Sequence, residues 1–290
     1  MPVMTCTFNR GGGPQIQMKL DLDENRPNEK SVLGWLQTGK LFEPDVANLF
    51  LNVLRQGDVV VDVGANIGFL TVLASVLVGP TGHVVAFEPG ADNLERLRAN
   101  LGHNDCKNVT VIEKAVTSQV GEVVFYINSD DSGGNALWDP SQFPGNVKSL
   151  ANPMPIRMAG TTLDAEWERL GLPSPKVIKI DTEGAEQQVL EGARGLLAEQ
   201  LVKQKPFFVV AELHPFALAK MGANEQSLRA TVEGLGYSTF SLLYNGTLPR
   251  LVPAATRMDV RVIVNILFST PDWVGEYWPT VVIDPRDSTT

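Results

Sequence analysis

Apolar positions along this chain follow two periods. Short unbroken runs at Val59-Val60-Val61, His83 to Phe87, Val109 to Ile112, Val177 to Ile180 and Phe207 to Leu213 have the length and β-branched character of strands buried on both faces. Between them lie stretches with helical spacing. Val46, Leu49, Phe50, Val53 and Leu54 predict a helix over 44–54, and Gln56-Gly57-Asp58 turns it into the first of those strands. Phe69 to Val78 predicts a second helix, stopped by Gly79-Pro80, and Leu94, Leu97, Ala99 and Leu101 mark a third, closed by Gly102-His103-Asn104. Thr161 or Thr162 caps a helix over 163–170 that Gly171-Leu172-Pro173 ends. Further helices are expected over 185–197, with Val189, Leu190, Ala193, Leu196 and Leu197 on one face, and over 227–235. Strand and helix alternate, the pattern of a doubly wound α/β fold.

The alternation breaks in three places. Residues 1–30 read as irregular, with a short strand over 15–22 and a polar loop over 25–30 around Pro27. Strands are expected over 122–127 and 155–158, but the stretch 128–155 is rich in Gly, Ser, Asp, Asn and Pro. A loop of that length inside a domain generally carries function, so it is assigned as a substrate loop or lid. Near the end, 237–243 and 261–268 predict a closing antiparallel pair. The tail 271–290, with Trp273, Tyr277 and Trp278, is expected to pack across the domain or at a subunit contact. The expected organisation is an N-terminal extension over 1–40, one domain over 41–270, and the tail.

Composition narrows the partners. A net charge of −9 argues against nucleic acid, whose phosphates need a basic surface. Cys6 and Cys106 are the two cysteines and lack metal-like spacing. Met1 to Gly13 lacks a basic stretch followed by an apolar core, and the apolar run Phe69 to Val78 is far short of the roughly 20 residues that span a bilayer. A cytoplasmic protein with no membrane or nucleic acid partner is expected.

The chemistry concentrates at strand ends. Val59 to Gly68 reads strand, turn, helix, and its turn carries Asp62, Gly64 and Gly68 as D-x-G-x-x-x-G. This differs from the G-x-G-x-x-G of dinucleotide sites. It is similar to the first motif of S-adenosylmethionine (SAM) dependent methyltransferases. Glu88 ends the next strand, 20 residues past Gly68 (88 − 68), where a carboxylate accepts both hydroxyls of a ribose. Ligands of open α/β sheets bind beyond the carboxyl ends of the strands, which groups Asp62, Glu88, the Glu113-Lys114-Ala115 segment, Asp181, and Glu212 with His214.

Ile178-Lys179-Ile180-Asp181-Thr182-Glu183-Gly184-Ala185-Glu186 closely resembles the fourth-strand signature of the FkbM-type methyltransferases. Asp62 to Gly68, Phe87-Glu88-Pro89, Thr162-Leu163-Asp164 and Glu212-Leu213-His214-Pro215 resemble further motifs of that family, in order over about 40–240. The resemblance implies a Rossmann-like class I methyltransferase: a mostly parallel seven-stranded sheet, helices on both faces and an antiparallel last strand. It implies SAM as cofactor, S-adenosylhomocysteine as product, and a small hydroxylated molecule, a natural product or a sugar, as acceptor. Carried over by position, Asp62, Gly64, Asn66 and Gly68 hold the methionine part, Glu88 the ribose, and Ala115 and its neighbours the adenine. Glu43 either reaches the cofactor's amino group or is a surface acid.

Drawing a proton from an alcohol calls for a general base. Asp181, also beside the cofactor, and His214 are the two candidates, with Glu183 and Glu212 orienting them or binding substrate. A divalent ion on Asp181, Glu183, Glu212 and His214 is the rival idea; no metal spacing is evident, and none is expected. Methylation of nitrogen or of a peptide is the alternative function, although the Asn/Asp-Pro-Pro-aromatic motif for exocyclic amines is absent. A nicotinamide enzyme and a non-catalytic nucleoside-binding protein are the other classes. A homo-oligomer is left open. Trp138, Phe143 and Trp273 either contact an apolar acceptor or pack in the core.

Overall fold

The computed structural model describes residues 3–9, 15–242 and 248–278. It begins with a hairpin, β1 (Val3–Asn9) paired antiparallel with β2 (Gln15–Asp21). Alternation in β2 sends Met18 and Leu20 into the main core and leaves their neighbours outside. β1, expected as irregular chain, is therefore a strand. The expected loop around Pro27 is instead the start of helix α1 (Pro27–Gln37), with the proline in its first turn, where a missing N–H costs nothing. Val32 faces the core, and Arg96 clamps the segment by bonding the Asp21 carbonyl (2.6 Å) and both carboxylate oxygens of Glu29 (3.0 and 2.8 Å).

α2 (Pro44–Val53) leads into β3 (Val59–Val63), whose five residues are all buried. α3 (Phe69–Val78), β4 (His83–Phe87), α4 (Ala91–His103) and β5 (Val109–Ile112) complete the first half of the sheet. A second, three-stranded sheet follows, ordered β6 (Ala115–Val116), β8 (Met154–Thr161), β7 (Gly121–Ile127), with helix α5 (Val147–Ala151) in the long β7–β8 connection. The chain returns through α6 (Leu163–Leu170), N-capped by Thr162, to β9 (Val177–Ile180). The helix expected over 185–197 is two, α7 (Glu186–Glu191) and α8 (Arg194–Lys203). A Cβ on Gly192 would lie 2.2 Å from the Thr117 carbonyl oxygen, so the chain turns there against a neighbouring loop. The Asp164 carboxylate then caps the second helix at Gly195 and Leu196 (both 2.8 Å).

The remaining elements are β10 (Phe208–Leu213), α9 (Pro215–Lys220), α10 (Glu225–Glu233), β11 (Ser238–Ser241), β12 (Arg250–Val252), β13 (Val264–Ser269) and α11 (Pro271–Tyr277). The main sheet runs β12-β11-β13-β10-β9-β3-β4-β5. Its β10, β9, β3, β4 and β5 are mutually parallel, while β13 lies antiparallel between β10 and β11. This is the expected mostly parallel sheet with its antiparallel last strand. The correction is one further short edge strand, β12, which makes eight.

Successive residues of the central strands face opposite sides. Val60, Val177 and Phe208 pack with α2 and α3, while Val61, Ile178 and Val209 pack with α6, α7 and α10. Each such fully buried side chain contributes about 1.5–3 kcal/mol, so the strands that carry the site are held by packing on both faces. Of the tail, Val274 and Trp278 join the core; residues 279–290 lie outside the described part. Among the described residues no helix is long and apolar enough to cross a membrane.

Candidate active site

The carboxyl ends of β4, β3, β9 and β10 form a row of neighbours, and strand spacing of about 4.8 Å spreads that row over roughly 14 Å. Above it opens a cavity of about 480 Å³. Glu43, Gly64, Asn66, Glu88, Ala115, Asp181, Glu183, Glu212 and His214, all singled out from sequence, line it. Asp62 and Gly68 do not. They build the wall from behind.

The turn after β3 explains why. Gly64 has φ +78°, and a Cβ there would sit 1.7 Å from the Asp181 carbonyl oxygen, so only glycine lets β3 and β9 end side by side. Gly68, at φ +91°, starts α3 where a Cβ would meet Leu97 at 2.5 Å. Asp62 is wholly buried: one carboxylate oxygen accepts from Thr71 Oγ1 (2.5 Å) and the other lies 3.3 Å from Lys179 Nζ. Lys179 also donates to the Gly64 carbonyl (2.6 Å) and pairs with Asp181 (3.5 Å). Burial alone would push its ammonium down, but the charges of Asp62 and Asp181 outweigh that and hold it up, so it stays charged. One buried cation thus ties the β3 turn to the end of β9.

Glu88 occupies the corner between β4 and that turn. Its carboxylate accepts from the backbone N–H groups of Asn66 and Gly90 (both 2.8 Å), and burial raises its pKa to about 7. Asn66 stands at φ +53°, and its side-chain oxygen accepts from Asn28 Nδ2 (2.7 Å). Asn28 and Ser31 therefore bring α1 into the cavity wall. Sequence reasoning missed them, although Pro27 followed by Val32, Leu33 and Leu36 is a helix signal. Ala115 lines the opposite side on β6, next to Lys114, which pairs with Glu166 (2.7 Å).

At the other end the carboxylates crowd. Glu183 sits in a left-handed turn (φ +55°), followed by Gly184, where a Cβ would lie 2.5 Å from the Ala217 carbonyl oxygen. Glu186 holds that turn by accepting from the Thr182 N–H (2.8 Å) and hydroxyl (3.0 Å) and the Gly184 N–H (3.1 Å). It is a positioning group that the sequence motif contained without revealing its role. One oxygen each of Asp181, Glu183 and Glu212 lies within 4.8 Å of the others. Burial and the Asp181 charge push Glu183 and Glu212 well above the usual carboxylate range, and the same two causes take Glu43 to about 8. His214 is buried and caps α9 by accepting the Ala217 N–H at Nδ1 (3.4 Å); burial lowers its pKa. With Nδ1 an acceptor, the neutral ring carries its proton on Nε2.

The 128–155 segment contributes part of the cavity wall and is built from short capped turns. Asp131 and Asp139 cap turns at Gly133 (3.0 Å) and Ser141 (2.9 Å), and Asp130 caps α5 at Lys148 (3.0 Å) and Ser149 (2.8 Å). Trp138 donates Nε1–H to the Glu183 carbonyl (2.7 Å), and Phe143 stands edge-on to His214 and Phe216. Trp138 and Phe143 line the cavity, whereas Trp273 packs against Tyr237 in the core.

Comparison with known proteins places the chain among methyltransferases of one family. The family model described as Methyltransferase FkbM domain matches residues 62–239. The hexuronic acid methyltransferase AglP of Haloferax volcanii is 31% identical over 176 residues, 59% of this chain and 62% of AglP. The 2-O-methyltransferase NoeI of Sinorhizobium fredii is 26% identical over 160 residues, 51% of this chain and 63% of NoeI. The chain thus spans under two thirds of either relative. The crystal structure of the methyltransferase FkbM from Methylobacillus flagellatus KT aligns with a TM-score of 0.42 at 16% identity, over 86% of this chain and 56% of that one.

Proposed function

The chain belongs to the FkbM methyltransferase family, and from that premise we propose that it transfers the methyl group of SAM to a hydroxyl oxygen of a small molecule. The observation that carries this reading is the order of groups along the strand ends: a buried carboxylate at β4, a left-handed glycine turn at β3, and a cluster of acids at β9 and β10. In this reading Glu88 would hold the ribose hydroxyls, the Gly64–Asn66 turn the methionine part, Glu43 its amino group, and Ala115 the adenine. The fit is chemical as well as spatial. Glu88 already accepts two backbone N–H groups and has oxygen lone pairs to spare, and Gly64 lines the cavity in a left-handed turn packed against the Asp181 carbonyl. Bound SAM supplies an electrophilic methyl group on a sulfonium cation.

The protein's own part is to hold an oxygen in line with that methyl and to take its proton. Asp181, between the glycine turn and the acid cluster, is the carboxylate we assign as base. His214 has its free Nε2 protonated in the neutral ring, so it serves as a donor that orients the acceptor. Glu43 and Asp181 also favour a sulfonium over the uncharged thioether product, since Coulomb attraction in a partly buried site is stronger than in water. The acceptor we favour is a sugar or glycan hydroxyl: the named activities of the two relatives point that way, and Trp138 and Phe143 offer aromatic surface on which a sugar ring can stack. The test is methyl-labelled SAM with a panel of sugars and hydroxylated natural products, alongside titration with SAM and with NAD. Label on an acceptor oxygen supports the reading. Label on nitrogen, or tighter binding of NAD than of SAM, overturns it.

A further inference from the structure

We propose that residues 131–135 form the outer wall of the cofactor subsite, covering the nucleoside part of SAM, and that Asn93 is the positioning residue that sets this turn beside Glu88. The proposal rests on the cofactor reading above and divides the 128–155 segment into a cofactor part and an acceptor part. Ser132, Gly133, Gly134 and Asn135 line the same cavity as Glu88 and Asn93. Asn93 stands in the first turn of α4 and is buried. Its Nδ2 donates to the Ser132 carbonyl at 3.0 Å and lies 3.4 Å from Glu88 Oε1. One amide group therefore serves the turn and the proposed ribose acceptor together, and it fixes the gap between them.

The turn is braced by the chain's own groups. Asn128 Oδ1 accepts the N–H groups of Asp130 (3.0 Å) and Asp131 (3.3 Å), and Asn135 Oδ1 accepts the Asn128 N–H (2.8 Å), which closes the turn on itself. A Cβ on Gly134 would lie 2.6 Å from Asn128 Nδ2, and one on Gly133 would lie 3.4 Å from Asn28 Cγ, so bare backbone fits between Asn128 and α1. Asn28 donates to Asn66 Oδ1, and the Asn66 N–H donates to Glu88. Helix α1, the β3 turn, Glu88 and residues 131–135 thus meet at one end of the cavity. Beside the carboxylates of Glu88 and Asp131, the lining groups at this end are amides and a serine hydroxyl, uncharged donors and acceptors that match ribose hydroxyls and a neutral base. The rest of the segment serves the other end, where Trp138 bonds the Glu183 carbonyl and Phe143 meets His214. A turn already held in place loses little freedom on binding, so its contacts go into affinity.

The test is hydrogen–deuterium exchange of the full chain, read on a peptide spanning 131–135 with and without excess SAM, alongside calorimetric titration with SAM. In the native chain SAM should slow exchange there at least about tenfold. Asn93→Asp keeps the shape of the side chain and removes the Nδ2 donor. Without ligand it should speed exchange over 131–135 at least about tenfold, while β3 and β9 exchange as in the native protein. SAM affinity should fall at least about tenfold, the scale of one lost hydrogen bond to a buried acceptor. Asn135→Ala, which removes the acceptor of the Asn128 N–H, is the second variant should the first fail to fold, and it should weaken SAM likewise. SAM binding that leaves exchange at 131–135 unchanged overturns the proposal, as do folded variants that bind SAM like the native chain. Exchange that Asn93→Asp speeds equally in β3 and β9 overturns the positioning role, since a general loss of stability explains it. A native chain that ignores SAM would overturn the cofactor reading, and this subsite with it.

Discussion

Replacing Lys179 with methionine should be among the most damaging single changes outside the cavity. The methionine keeps the length of the side chain and removes its charge. In the native protein the ammonium lies 3.3 Å from an Asp62 oxygen and 3.5 Å from Asp181, and it donates to the Gly64 carbonyl at 2.6 Å. Asp62 has no solvent exposure, and its second oxygen accepts from Thr71 alone. Breaking a buried pair by deleting one partner costs about 3–5 kcal/mol, because the remaining charge is stranded. Asp181 is partly exposed and loses less, so the stranded charge on Asp62 carries most of the effect. For a chain of this size the loss corresponds to a drop in Tm of roughly 5–8 °C. Urea unfolding of wild type and variant measures it. Lys179→Met with Asp62→Asn should recover about half of the loss or more, since the second change removes the stranded charge. A cost below about 1 kcal/mol for the single variant, the range of exposed pairs, or no recovery in the double, would refute this account of how β3 and β9 are tied.

Three further changes test the cavity. Glu88→Ala should weaken SAM binding by about 1–3 kcal/mol in a calorimetric titration, the value of a lost charged hydrogen bond, and unchanged affinity would remove it from the ribose site. Asp181→Asn should lower turnover far more than SAM affinity; equal losses in both would make it a cofactor ligand and not a base. The third is a pH effect. Burial raises Glu88 and Glu186 to about 7 and Glu43 to about 8, above their unfolded value near 4.5, so the folded ligand-free protein holds protons that the unfolded chain has released. Their contribution to stability is complete below about pH 4.5 and is lost as pH rises through 7 to 8. The ligand-free protein should therefore melt higher near pH 6 than near pH 8, and a Tm that climbs over this interval would contradict the burial of these groups.

The parts of the fold legible in the chain were those whose sequence period is set by burial. Val59–Val63 and Val177–Ile180 are buried on both faces, so their unbroken apolar runs announced strands, and the sheet edge that carries Asp181 and Glu88 followed from them. Polar stretches gave less. Among the described side chains of β1 only Cys6 is fully buried, and the first turn of α1 is Pro27-Asn28-Glu29-Lys30, which reads as loop until tertiary contacts with Arg96 and Asn66 are known. Local sequence also hides convergence. Asp181 and Glu212 end adjacent strands 31 residues apart (212 − 181), and Glu183 joins them only because the backbone turns left-handed there. Gly192 lies inside the helix expected over 185–197, and only its approach to Thr117 shows why that helix must break.

Native mass spectrometry of the purified full chain, before and after addition of SAM, tests the cofactor assignment most directly. The account predicts a mass increment of one SAM or one S-adenosylhomocysteine per chain, which Glu88→Ala reaches only at a SAM concentration raised in proportion to its weaker binding. A chain that stays unliganded in excess SAM, or a Glu88→Ala chain that fills at the same SAM concentration as the native one, would contradict it.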